Sequence, residues 1–138
     1  MIRQKQDEIR QLMHAIGKAF SSLDFDAWLA LFCAPRTVIS KGVVFSSSSY
    51  EDTRSFMAPV FDGLRKRGFS HTRLDTCHIK LLSDTSAIVS TVWSRFDRAG
   101  QIIETLGATY MLVSSGDSWK VAVVTSHRAD VLAIEAGE

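Results

Sequence analysis

The groups of this chain able to move protons or hold a metal are four histidines, two cysteines and a scatter of carboxylates. Abstracting a proton beside a carbonyl needs a base within hydrogen-bond reach and a donor for the developing oxyanion. His71 with Asp75 four residues on is the most suggestive combination. In an extended strand the two share a face about 13 Å apart, so they can line one pocket but cannot form a dyad. Tyr110 supplies a hydroxyl that could assist His71. The simpler alternative makes His71 a strand residue satisfied by backbone, with Asp75 exposed or paired with Arg73 or Arg95. His127 ends the last predicted strand, where it can reach a pocket. His78 alternates away from His71 toward the surface, and His14 falls off the apolar stripe of its helix.

Other chemistries lack their residues. Cys33 and Cys77 form no CxxC and have no histidines at zinc-site spacing, so both read as reduced core thiols. There is no phosphate-binding glycine loop, nucleophile elbow or metal-spaced cluster of histidines and carboxylates, and no cofactor is expected. Sixteen Lys and Arg against fifteen Asp and Glu give a net charge of +1, which provides no global field for nucleic acid or an anionic membrane. The run Arg65, Lys66, Arg67 ends a predicted helix, where cations complement the helix dipole. Met1 to Arg10 is polar rather than a leader or anchor, and the apolar stretches are too short to span a bilayer. A cytoplasmic protein is expected.

The elements that must position these groups follow from periodicity. With 138 residues, 46% of them hydrophobic, the chain has material for one domain, 1–138, with one core. Ile2, Ile9, Met13, Ile16 and Phe20 recur at helical spacing. Asp24 can cap a second, short helix carrying Phe25, Trp28, Leu29 and Phe32, which must stop before Pro35. Thr37 to Phe45, interrupted by Lys41 and Gly42, reads as two short strands or a hairpin. Ser48 with Glu51, or Ser49 with Asp52, matches a capping box opening a third helix over about 50–67, which carries Phe56, Met57, Val60, Phe61 and Leu64 and is kinked at Pro59 and ended by Gly68.

From Phe69 onward four β-rich segments follow, about 69–82, 86–98, 101–114 and 118–127, separated by turn residues. Helices first and strands last give an α+β architecture with the helices covering one sheet face. Two-residue hairpin loops would set Val89, Thr91, Trp93 and Arg95 beside Glu104, Leu106, Ala108, Tyr110 and Leu112, and carry that face on through Trp119, Val121, Val123, Thr125 and His127. Arg95 then lies opposite Glu104, as a cross-strand ion pair or a carboxylate clamp at a pocket mouth. The other face, with Ile88, Val92, Met111 and Val113 among others, is too apolar to leave in water, and a second subunit is its simplest cover.

The order of elements, Phe56-Met57-Ala58-Pro59-Val60-Phe61 in the third helix, His71 opening the first long strand, and the closing Gly116-x-x-Trp119-Lys120-Val121 with downstream His127 together resemble the nuclear transport factor 2-like superfamily, in its SnoaL-like, polyketide cyclase-like or ketosteroid isomerase-like branch. The resemblance implies a cone of three helices on a curved antiparallel sheet with a pocket at its open end, homodimers through the outer sheet face, and functions from isomerases, dehydratases and cyclases to plain binding. The ketosteroid isomerase-like base would fall near Thr37 to Lys41, where this chain has no carboxylate. The tyrosine and aspartate of scytalone dehydratase-like members would fall at Ser21 and Ser22.

The leading expectation is therefore a homodimer holding a small, largely apolar molecule among Trp28, Phe32, Phe56, Val60, Trp93, Arg95 and His127. The alternatives are a cofactor-independent isomerase, dehydratase or cyclase using His71 with Tyr110 or Asp75, and a dimeric protein-interaction module without a ligand.

Overall fold

The computed structural model describes residues 2–131 and Ile134. Helix α1, Ile2–Ser21, buries Ile9, Leu12, Met13, Ile16, Gly17 and Ala19, one stripe at helical spacing. Asp24 caps helix α2, Phe25–Leu29, by accepting from the Ala27 amide at 3.0 Å. That helix is shorter than the sequence suggests. It ends at Leu29, and Phe32 opens strand β1, Phe32–Ser40, through which Pro35 is accommodated by a cis peptide bond after Ala34.

Strand β1 turns into β2, Val43–Ser47, through Lys41 and Gly42, whose φ values of 52° and 78° are the paired left-handed conformations of a two-residue hairpin turn. Ser49 then caps α3, Tyr50–Lys66, accepting from the Asp52 amide at 3.1 Å, and Gly68 at φ 73° lets the chain leave the helix. The long strands are β3, Phe69–Leu81, β4, Ser86–Asp97, β5, Ile102–Ser114, and β6, Trp119–His127, each close to its predicted span.

The six strands form one sheet in the order β2-β1-β6-β5-β4-β3. Every pairing is antiparallel except β1 with β6, so the sheet is mixed rather than the antiparallel one expected. Its inner face packs against the helices, with Ile9, Met13, Val89, Leu112 and Val121 at 0% exposure. Each such side chain contributes about 1.5–3 kcal/mol through burial. A buried arginine ties β1 to the start of α3: Arg36 donates to the Cys33 carbonyl at 3.0 Å, the Ser49 carbonyl at 3.3 Å and the Thr53 hydroxyl at 2.6 Å.

The β4–β5 register is the predicted one, with Val89 opposite Tyr110, Thr91 opposite Ala108, Trp93 opposite Leu106 and Arg95 opposite Glu104. Elsewhere bulges invert the alternation. An extra residue at Asp75 in β3 leaves His78, paired with Ser90, on the same outer face as His71, paired with Phe96. The expectation that His78 turns away from His71 fails for that reason. A second bulge, at Ala122 in β6, sets Val121 opposite Leu112 but Val124 opposite Tyr110. Val123, Thr125 and His127 consequently leave the inner face on which strict alternation had put them, and Val124 and Ser126 replace them.

Candidate functional site

Between the helices and the inner sheet face lies a cavity of about 570 Å³, partly open to solvent. Ile16, Gly17 and Phe20 of α1, Trp28 of α2 and Phe56, Met57 and Val60 of α3 form one wall; Phe32, Val38, Val43, Trp93, Leu106, Ala108, Tyr110 and Val124 from the strands form the other. The aromatic rings are held by one another. Trp28 packs on Phe32 with centroids 4.3 Å apart, and Phe56 stacks on Phe45, also at 4.3 Å. Gly17 lets α1 approach the sheet, since a Cβ there would lie 2.9 Å from Cζ3 of Trp93.

The polar groups of the lining fall in two places. At depth are Trp93 and Tyr110, 6% and 5% exposed. Burial pushes the Tyr110 hydroxyl up to about 12, against the smaller opposing influence of the Trp93 N–H and the Thr91 hydroxyl. It therefore stays a neutral donor. The Trp93 side chain is close enough to Tyr110 to influence its hydroxyl, yet Nε1 has no hydrogen-bond partner among the described residues.

The second set is charged and lies nearer solvent, at the mouth, with the Arg95, Glu104 and Arg67 side chains 15%, 36% and 49% exposed. Arg95 donates to Glu104 Oε1 at 2.7 Å while its guanidinium lies 4.8 Å over the Phe20 ring, and Arg67 reaches the same carboxylate oxygen at 3.5 Å. Exposed Lys41 and half-buried Ser40, Ser126 and Thr72 are the remaining polar side chains of the lining. Three cations thus share the lining with one carboxylate, while the whole chain is almost neutral.

Of the sequence-derived candidates, Trp28, Phe32, Phe56, Val60, Trp93, Arg95 and Tyr110 converge on this cavity. His71, Asp75 and His127 do not. His71 is exposed on the outer face, its ring stacked on Phe96 at 4.8 Å and its Nδ1 3.2 Å from the Ser70 hydroxyl. Asp75, at the bulge, accepts from Arg73 Nε at 2.6 Å and from the Ser94 hydroxyl; its side chain is 22% exposed although the residue as a whole is open to solvent. His127 sits outside with Nε2 2.8 Å from the Thr109 hydroxyl and Nδ1 2.9 Å from the Arg128 carbonyl. His71 and Asp75 contact different partners, and Tyr110 lies across the sheet from both.

The sequence reading missed Gly17, Lys41, Arg67 and Glu104 as lining residues. Arg67 belongs to the basic run assigned to the dipole of α3. The run divides: Arg65 pairs with Asp62 at 2.9 Å, but Arg67 folds back over β5, donating to the Ile103 carbonyl at 3.2 Å. A separate, charged groove of about 220 Å³ between α2 and α3 is lined by Asp24, Asp26, Arg54, Asp62 and Arg65 among others and holds none of the converging aromatics.

The family model described as NTF2-like protein (DUF6841) matches residues 7–129, most of the chain. The chain belongs to this family. Among solved structures, this NTF2-like domain is similar to an NTF-2 like protein of unknown function from Shewanella oneidensis MR-1, with 21% identity, a TM-score of 0.72, and 88% of this chain and 98% of that chain covered. It is similar to an NTF2-like protein with a cystatin-like fold from Novosphingobium aromaticivorans, with 15% identity, a TM-score of 0.72, and 94% and 84% covered. A ketosteroid isomerase-like protein from Erwinia carotovora atroseptica matches at 16% identity and a TM-score of 0.64, with 87% and 92% covered. At these identities the likeness shows the fold alone. A comparison with curated proteins finds no match. No helix of the described residues is long and apolar enough to cross a membrane.

Proposed function

We propose that this NTF2-like domain binds a small, largely apolar molecule in the cavity and does so as a homodimer. The observation that carries the reading is the cavity itself: about 570 Å³, within the roughly 300–1,000 Å³ usual for small-molecule sites, and walled mainly by aliphatic and aromatic side chains with a few convergent polar groups. A domain acting only as an interaction module would have no need to leave this volume unfilled.

Binding is better supported than proton transfer. An acid–base reaction in the cavity cannot use His71, which stands outside it, and Glu104 is the only carboxylate among the described lining residues. Its Oε1 already faces two guanidinium groups. The homodimer is supported by the outer sheet face, where Met111 and Val113 are 36% and 40% exposed and Met111 lies between half-buried Ile88 and Val123 of the neighbouring strands.

The test is a thermal-shift screen of hydrophobic small molecules on the wild-type protein and on Ala108→Phe, which places a ring in the cavity. Ligands that raise Tm in the wild type are expected to lose most of that effect in the variant. A broad panel without any stabilising ligand would reject the reading.

A further inference from the structure

The unpartnered indole N–H of Trp93 narrows the class of ligand, on the premise that the cavity is a binding site. Trp93 is 6% exposed, lines the cavity, and its Nε1 has no hydrogen-bond partner among the described residues. An unmet buried donor costs about 1–3 kcal/mol, and folded proteins keep few of them. A phenylalanine would fill much of the same slot without that cost. The benzo edge of the indole, Cζ3 and Cη2, is the part against Gly17, so the N–H edge is turned away from α1. Near it stands the hydroxyl of Tyr110, on which the N–H acts without a hydrogen bond between them and which burial keeps protonated, so the two groups can close on one acceptor oxygen.

The mouth supplies the independent observation. Arg95, Arg67 and Lys41 line the cavity with Glu104 as the only carboxylate among the described lining residues, and both guanidinium groups turn to the same Oε1. That leaves a surplus of positive charge where the cavity opens, on a chain whose net charge is only +1. Arg95 and Trp93 are two residues apart on the same face of β4, a separation of about 7 Å along the strand, which is bridged by a rigid bicyclic ring system.

We infer that the ligand is an elongated apolar carboxylic acid with a carbonyl oxygen in its far end, the carboxylate held at the mouth by Arg67, Arg95 and Lys41 and the carbonyl accepting from Trp93 Nε1. The deep donors select an acceptor oxygen and the mouth selects negative charge. Apolar walls between them require a hydrophobic body.

Calorimetric titration of four related probes separates these contributions: 6-acetyl-2-naphthoic acid, 2-naphthoic acid, 2-acetylnaphthalene and naphthalene. Removing the carboxylate is expected to weaken binding about tenfold or more, and removing the acetyl group about fivefold. In Trp93→Phe the acetyl increment disappears while the carboxylate increment persists. In the double variant Lys41→Gln with Arg67→Gln the carboxylate increment shrinks to what Arg95 alone supplies while the acetyl increment persists. Equal affinity of all four probes for the wild-type protein would overturn the inference and leave the cavity a binding site for apolar molecules. An acetyl increment that survives Trp93→Phe also overturns it. If no probe binds and the wider screen is silent as well, the binding reading itself falls and takes this inference with it.

Discussion

A methyl group placed on Gly17 would stand 2.9 Å from Cζ3 and 3.3 Å from Cη2 of Trp93, so the closest approach of α1 to the sheet is set by the absence of a side chain on one residue and the breadth of another. Gly17→Ala therefore joins two opposed effects. The helix gains about 1 kcal/mol in intrinsic propensity, whereas forcing a methyl against a buried indole costs about 1–3 kcal/mol. The Trp93 ring is 6% exposed and walled by the cavity lining, so overpacking should win. The expected outcome is a net loss of about 1 kcal/mol in urea unfolding, together with weaker ligand binding because the displaced ring carries the N–H with it. A more stable Gly17→Ala protein would mean that the indole tilts freely into the cavity.

Gly107 is a stricter case. A Cβ there would overlap Cε1 and Nδ1 of His127 and come within 2.8 Å of the Arg128 carbonyl. Backbone as well as ring would have to move. Gly107→Ala is expected to cost about 2–3 kcal/mol, and His127→Ala in the same background should restore part of it, measured as a double-mutant cycle of unfolding free energies.

These two glycines also mark where the sequence stops being legible. The β4–β5 register could be read because a short turn at Ala99-Gly100 sets Arg95 opposite Glu104 and Trp93 opposite Leu106, and a one-residue slip would have turned Trp93 and Tyr110 outward. The bulges at Asp75 and Ala122 carry no such mark. Neither is a glycine or proline, and each reverses every side chain beyond it, which is why His78 and His127 face opposite to expectation. The aromatic lining was legible through its periodicity, but the cationic mouth was not. An arginine at the end of a helix, such as Arg67, reads equally well as a partner for the helix dipole, and only the hairpin turn at Lys41 and Gly42 brings a lysine from elsewhere in the chain to the same cavity.

Arg36 should matter more than its distance from the cavity suggests. It is 6% exposed and satisfies the carbonyls of Cys33 and Ser49 and the hydroxyl of Thr53, itself 0% exposed. Arg36→Met keeps much of the volume but withdraws the guanidinium donor from all three acceptors, of which the Ser49 carbonyl still accepts from the Thr53 amide at 3.2 Å and hydroxyl at 2.8 Å, so a loss of about 1–3 kcal/mol is expected in chemical denaturation. Thr53→Val should cost less, since Arg36 would retain both carbonyls. Equal losses would show that packing at the α3 start, rather than the guanidinium, sets the energy.

The outer face gives a prediction separable from the cavity. Met111→Glu places a charge at the centre of the apolar row formed with Ile88 and Val123. If that row is the dimer interface, the wild-type protein sediments as a dimer at micromolar concentration and the variant as a monomer, because an unpaired carboxylate buried between subunits costs several kcal/mol. A wild-type monomer would refute the dimer whatever the cavity binds.

Tyr110 ties the depth of the cavity to alkaline pH. Burial raises its hydroxyl from the ordinary 10 to about 12 in the folded protein, while the unfolded chain keeps the ordinary value. Between those values the unfolded state has released a proton that the folded state retains, so the unfolded state is favoured increasingly as pH rises. The stability tied to this group is full below about pH 10 and is lost as pH climbs toward 12. The chain has two tyrosines, the other being Tyr50, whose hydroxyl is also raised, first by its hydrogen bond to Asp26. In Tyr50→Phe the remaining phenol can be followed alone by ultraviolet absorbance, and it should begin to ionise only well above pH 10, together with loss of the native far-ultraviolet signal. Titration near the ordinary tyrosine value in a protein that remains folded would show that water reaches the Tyr110 oxygen freely, and the donor at the floor of the cavity would then be an ordinary solvated phenol.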